Sequence, residues 1–268
     1  MIISYHSPKN PCSDDTEGHI ERAIIELGHT VVKEDSGSDF VLFHKVFPET
    51  DAKKVCWYFD KISWKNRANY IQMCLEKADL VFVTDETWAK EHPHKKLKIL
   101  RQGCGDCSKG RKMLINTQVA FTGSLYGERF NWFTRLNRRY KEKFYGFNNV
   151  FNKSLNNLCA SVPIFVAPKD PSDDYYWSSR VYITLGSGGF LIHPYLEGLR
   201  KEYSEEELVM YTDEEDLYKK IDYYLAHPVD RERIRIKGWE KTKNNFTYKD
   251  RVCSLIAIVQ KELKGKES

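Results

Sequence analysis

A chain of 268 residues, 41% hydrophobic and 30% charged, suits one large domain or two of ordinary size and can bury a core while staying soluble. No apolar run approaches the roughly 20 residues of a membrane span, and Met1-Ile-Ile-Ser-Tyr-His6 lacks the basic and long apolar regions of a signal peptide, so a cytoplasmic location is expected. The net charge of +4 neither demands nor excludes nucleic acid.

In chain order, residues 1–6 read as a strand and 16–27 as a helix, with Asp14 or Asp15 as its cap and Gly28 as its stop. Residues 30–33, 40–44 and 54–59 follow as strands, the last rich in aromatics. Residues 66–77 carry helical spacing through Ala68, Ile71 and Leu75. A compact apolar strand at 79–84, a short helix at 86–91 and a strand at 98–101 complete the first half. Strands alternating with helices imply a mostly parallel sheet covered on both faces.

The loop 102–112, rich in Gly, Lys and Cys, is the expected boundary between domains 1–112 and 113–268. The seven cysteines, an odd and scattered set, are expected as reduced thiols. Cys104-Gly-Asp-Cys107 lies in this loop, but a zinc site needs a second ligand pair, and a redox pair belongs at a helix start. Beyond the loop come a strand at 118–122, a basic amphipathic helix at 129–143 and a strand at 161–167. A helix at 180–185 feeds a Gly-rich turn, followed by strands at 190–193 and 208–211. An acidic helix start at 213–216 leads into helices at 217–226, 230–245 and 251–264. Two α/β domains with ligands beyond the carboxyl ends of the strands are the simplest architecture.

Several groups are suited to chemistry. Gly186, Gly188 and Gly189 let the backbone approach phosphate oxygens closely, or simply turn the chain out of a helix. Arg180, beside Tyr176, Trp177 and Ser178, can place a forked pair of bonds on a diphosphate, or pair with a surface acid. Phe121-Thr-Gly-Ser-Leu-Tyr-Gly-Glu-Arg129 ends a strand in Gly123-Ser124 and enters a helix, whose N-terminus favours an anion; Ser124 as a plain helix cap is the alternative. Asp60 stands at the carboxyl end of a strand, where it could take a proton from an acceptor hydroxyl or cap a helix near Ser63 or Asn66. His6 and His19 are alternative bases. The basic runs at 95–98, 109–112 and 135–143 read as solvated surface, with the middle one also suited to an anionic acceptor.

Taken in this order, the pieces resemble a family of GT-B glycosyltransferases, the CgeB-like group related to the group-1 transferases. The resemblance covers nearly the whole chain and is strongest after Gln118. It rests on Phe121 to Arg129, on Arg180-Val-Tyr-Ile-Thr-Leu-Gly-Ser-Gly-Gly-Phe-Leu-Ile192, and on Tyr211-Thr-Asp-Glu-Glu-Asp-Leu217. Tyr223-Tyr-Leu-Ala-His-Pro228, Arg231-Glu-Arg233 and Phe246-Thr-Tyr-Lys-Asp-Arg251 resemble the family's ending.

The resemblance implies an α/β, GT-B-like fold of two Rossmann-like domains facing across a cleft. The nucleotide-diphosphate sugar, a co-substrate rather than a cofactor, would bind the C-terminal domain and the acceptor the N-terminal one. No metal is expected, because positive side chains and helix dipoles meet the leaving diphosphate. Arg180, Arg129, Gly123, Ser124 and the glycine turn would hold that diphosphate, with Tyr145 or Trp177 against the base or sugar. Asp60 would be the base of an inverting reaction, and the hydroxyl acceptor a glycan, a protein or a modified DNA base. One departure stands out. Many group-1 transferases carry two glutamates eight positions apart, where this chain has Tyr175 and Ile183, so ribose recognition falls to Glu197 or Asp173. A non-catalytic nucleotide- or glycan-binding module is the alternative. A dinucleotide-dependent oxidoreductase has the fold class but lacks its fingerprint after the first strand.

Overall fold

The computed structural model describes residues 1–6, 15–63, 66–105, 107–123, 128–141, 144–147, 150, 152–168 and 173–264. The chain runs β1 (Ile2–His6), α1 (Thr16–Glu26), β2 (Thr30–Val32), β3 (Phe40–Phe43), β4 (Lys54–Tyr58), α2 (Arg67–Lys77), β5 (Leu80–Val83), α3 (Glu86–Glu91) and β6 (Leu97–Ile99). It continues through β7 (Val119–Thr122), α4 (Glu128–Tyr140), β8 (Phe144–Phe147), α5 (Asn152–Ser161), β9 (Ile164–Val166), α6 (Arg180–Gly186), β10 (Leu191–Pro194) and α7 (Glu197–Glu202). It closes with β11 (Val209–Tyr211), α8 (Glu214–Ala226), α9 (Pro228–Asn245) and α10 (Tyr248–Lys264).

Two compact units result, Met1–Gly105 with Phe246–Ser268, and Asp106–Asn245. The division differs from the expected boundary at 112 in two ways. The first crossing falls at 105, and the last segment returns to the first unit. The cause is apolar burial. Tyr248, Val252, Leu255, Ile256, Val259 and Leu263 of α10 join one core with Ile20 and Ile24 of α1 and with Ile3, Phe40, Val55 and Trp57 of the strands. A fully buried aliphatic side chain contributes about 1.5–3 kcal/mol, so this face alone holds the helix on its unit.

The first unit has a six-stranded parallel sheet in the order β2-β1-β3-β4-β5-β6. Side chains alternate across it. Val55 and Trp57 face α1 and α10, whereas Cys56 and Tyr58 face Ile71 and Cys74 of α2 and Trp88 of α3. Both faces are covered, which is why the strands read as unbroken apolar runs. Asp15 caps α1, accepting from the Gly18 amide at 2.7 Å.

The second unit has a five-stranded parallel sheet in the order β11-β10-β9-β7-β8. One face packs Val119, Phe121, Ile164, Val166 and Ile192 against Trp132 and Leu136 of α4 and Leu217 of α8. Three elements here have no counterpart in the sequence reading. β8 contains Gly146, whose missing side chain admits the Phe133 ring. α5 is rich in Asn and Ser, and α7 has only six residues. Each lacks a strong period of its own.

In each sheet the chain leaves its first strand to one side and returns on the other. The reversal lies between β1 and β3 in the first unit and between β7 and β9 in the second. Cys104 and Cys107 are disulfide-bonded, which corrects the expectation of reduced thiols for this pair. Cys56, Cys74, Cys159 and Cys253 are free. Among the described residues, no helix is long and apolar enough to cross a membrane.

Candidate functional site

In the second unit the residues of interest gather at the carboxyl end of β7, where the sheet reverses. Gly123 follows β7 with φ +138°, a backbone conformation that side chains rarely adopt. A Cβ added there would stand 2.5 Å from an Nη of Arg180. The Arg180 guanidinium lies 5.3 Å from the Phe121 ring centroid, a cation–π arrangement that holds its charge at the strand end. Arg180 opens α6, and Arg129 lies in the first turn of α4, the helix entered after β7. The structure therefore brings Gly123 and Arg180 into contact and sets Arg129 at the same edge. Ser124, expected with them, lies outside the described residues.

Glu197 is the first residue of α7, directly after β10, and so also at the carboxyl edge. It pairs with Lys201 at 2.8 Å. Tyr176 and Ser178 precede α6 and are half-buried. Asp173 lies just before them and accepts from the Tyr175 amide at 3.4 Å. Tyr145 stands within β8 in register with Ala120, and its side chain lies outside the described residues.

Two expectations are corrected. Trp177 is 5% exposed, and its indole donates to Tyr182 Oη at 2.9 Å, which in turn donates to Glu202 at 2.7 Å. Its ring packs beside Gly198, so it serves the core and not a nucleobase. The glycine turn is also at the wrong edge for a ligand there. Gly186 ends α6, and the chain must then enter β10, so Gly188 and Gly189 sit at the amino ends of the strands. Gly188, at φ +75°, accepts from Arg235 Nη1 at 2.5 Å and abuts Lys109, while Gly189 lies against Thr184 and Cys159. The turn lets a helix meet a strand.

In the first unit the carboxyl edge carries more ionisable groups. Asp60 follows β4 and pairs with Lys45 at 2.9 Å and Arg67 at 3.8 Å. It does not cap α2, whose cap residue Asn66 makes no side-chain cap bond. Asp85 caps α3 instead and also accepts from the Ile62 amide at 2.8 Å. His19 packs on Gly105 and stacks with Tyr248. His6 ends β1, with Nε2 2.7 Å from Asp35 Oδ1, and Ser4 Oγ donates to the same oxygen at 2.7 Å. Burial pushes the Asp35 carboxyl up, but the hydrogen bonds from Ser4 and His6 prevail and hold it below the usual range.

His44, following β3 at the reversal point, is 4% exposed and stacks on Phe59 at 4.2 Å. Its Nδ1 meets the Trp57 carbonyl at 2.9 Å; a carbonyl only accepts, so Nδ1 carries the proton. Burial, aided by the Lys45 cation, lowers His44 to about 4. Asp35 and His44 escaped the sequence reading. Asp35 is 29 positions from His6, and only the β1–β2 pairing brings them together.

Comparisons with known proteins agree with this architecture. A family model described as glycosyl transferase-like matches residues 109–257, more than half of the chain. No curated protein sequence matches. Among solved structures, sucrose-phosphate synthase from Thermosynechococcus elongatus superposes with a TM-score of 0.70 at 11% identity, over 98% of this chain and 99% of that one. Anabaena HepE in complex with UDP and glucose gives 0.66 at 8% identity, over 97% and 99%. An alpha1,3-fucosyltransferase with GDP-fucose gives 0.61 at 11% identity, over 97% and 90%. At these identities the likeness concerns the fold, which is GT-B: α/β with parallel, Rossmann-like sheets.

Proposed function

Because the chain belongs to the glycosyl transferase-like family, we propose that it moves a sugar from a nucleotide-diphosphate donor to a hydroxyl acceptor. The observation that carries this reading is the Arg180 guanidinium held against Gly123 and Phe121 at the carboxyl end of β7. A fixed cation beside the half-buried glycine backbone, at a sheet's reversal point, suits a diphosphate. Charge develops on that group as the glycosidic bond breaks, and a preorganised cation stabilises it without reorganisation. Arg129 adds a second positive charge at the same edge, and Glu197 is the carboxylate suited to the ribose hydroxyls. That the structures it resembles include one with UDP and glucose and one with GDP-fucose supports the donor class.

The reaction on this reading is metal-independent, since arginine supplies the charge. The test is hydrolysis and transfer over a panel of UDP-, GDP-, ADP- and CMP-sugars, with and without a chelator. Turnover of at least one donor, unchanged by EDTA, is expected. Tight donor binding with no turnover would instead mark a non-catalytic binding module, which the absence of carboxylates at Tyr175 and Ile183 would then explain.

A further inference from the structure

We propose that the loop leading into β7, together with α5, is a membrane-docking surface that attaches the chain to bilayers rich in anionic lipid. Residues 107–118 and 152–161, the loop and the helix it follows, carry Lys109, Arg111, Lys112 and Lys153 and no carboxylate. All four cations are exposed. The two residues after Lys112 are apolar and also in solvent, Met113 at 40% exposure and Leu114 at 104%. A single surface leucine needs no explanation. An apolar pair in solvent directly behind a cationic run is different, because it joins the two attractions that hold peripheral segments on anionic lipid: charge toward the headgroups and apolar area toward the acyl boundary.

The loop is held in this shape by α5. The Arg111 amide donates to Asn157 Oδ1 at 2.8 Å, and the Met113 amide donates to Ser161 Oγ at 2.8 Å. Gly110 permits the close approach, since a Cβ there would stand 2.1 Å from the Asn156 carbonyl. Asn156 is itself fixed by Ser187, whose Oγ donates to its side chain at 2.6 Å. With the backbone amides turned to the helix, the cationic and apolar side chains are left to solvent. A loop ordered beforehand loses less freedom when it docks.

Other occupants fit this surface less well. A single-stranded nucleic acid asks for aromatic faces on which bases stack. Trp239, the ring beside the loop, is half-buried and already has Lys109 Nζ 3.9 Å and Lys243 Nζ 4.9 Å from its centroid. A soluble polyanion offers nothing to Leu114, and a second copy would set like charges against each other. Glu232 of α9, which feels Lys109 and Lys112, is already paired with Arg235 through two bonds of 2.7 and 2.5 Å. Lys109 also abuts Gly188, and the loop enters β7 at its amino end, so the surface lies on the edge of this sheet opposite Gly123 and Arg180. Docking through it leaves the carboxyl edge of β7 open.

The experiment is co-sedimentation of the full chain with vesicles of phosphatidylcholine, alone or mixed with phosphatidylserine. Binding to the mixed vesicles only is expected, with release at about 1 M salt, where charges are screened beyond about 3 Å. Equal binding to both kinds of vesicle, or binding to neither, would overturn the proposal. Replacing both Arg111→Gln and Lys112→Gln should lower the partition coefficient roughly 25-fold, about fivefold for each cation removed. Leu114→Ser should lower it about tenfold or more. Both variants replace exposed side chains and should melt with the native chain. An unchanged partition coefficient in either would overturn the proposal. A single-stranded oligonucleotide that strips the native chain from the mixed vesicles at equal phosphate concentration would mark a nucleic-acid surface instead, and overturn it too.

Discussion

Arg180 lies on the Phe121 ring with its guanidinium beside Gly123, so its side chain needs little ordering when an anion arrives. A charge-assisted bond of this type contributes about 1.5–3 kcal/mol. Arg180→Ala should therefore weaken nucleoside-diphosphate binding roughly 10–100-fold, measured by calorimetry, with the melting temperature little changed. His44 makes a separate prediction about stability. Its folded value is about 4, against roughly 6.5 for an unconstrained histidine. Between those values the unfolded chain takes up a proton that the folded chain refuses, so stability falls as pH drops from 6.5 to 4 and is restored above it. Relative to the native chain, His44→Phe should gain about 3 kcal/mol between pH 7 and pH 4 in denaturant unfolding.

Helices and strands decide which glycines matter to the ligand. Gly123→Ala would place a Cβ into Arg180 and strain a backbone at φ +138°, so it should cost both stability and donor affinity. Gly188→Ala, at φ +75° on the opposite edge, should cost about 1–2 kcal/mol of stability and leave donor affinity untouched. Paired melting and binding measurements separate the two. The same contrast explains what the sequence made legible. Strands such as 79–84 were readable because burial on both faces leaves an unbroken apolar run, and the cap Asp15, one of two candidates, because its side chain acts within three residues. β8, α5 and α7 were not, since tertiary packing rather than local pattern fixes them. Arg180 and Gly123 were both named from local motifs, 57 positions apart, and the fold joins them. The glycine turn was readable as a turn, but its role was not, because the edge on which it lies depends on which strand the helix precedes. Asp35 carried no local signal at all.

At the scale of the whole molecule, the chain passes from the first unit to the second and back again. Residues 106–245 hold a complete five-stranded sheet with its own core, and should fold when produced alone. Residues 1–105 alone should not. They lack Val252, Leu255, Ile256 and Val259, which are 0–5% exposed in the intact core, and each aliphatic truncation of that kind costs about 2–5 kcal/mol. Circular dichroism and hydrogen exchange on the two fragments check this, with cooperative melting expected only for the second. During synthesis the same discontinuity imposes an order. The six-stranded sheet is made before the second unit, yet its covering helix is translated after it, so the later-made unit can finish folding while the earlier one still waits with an apolar face uncovered.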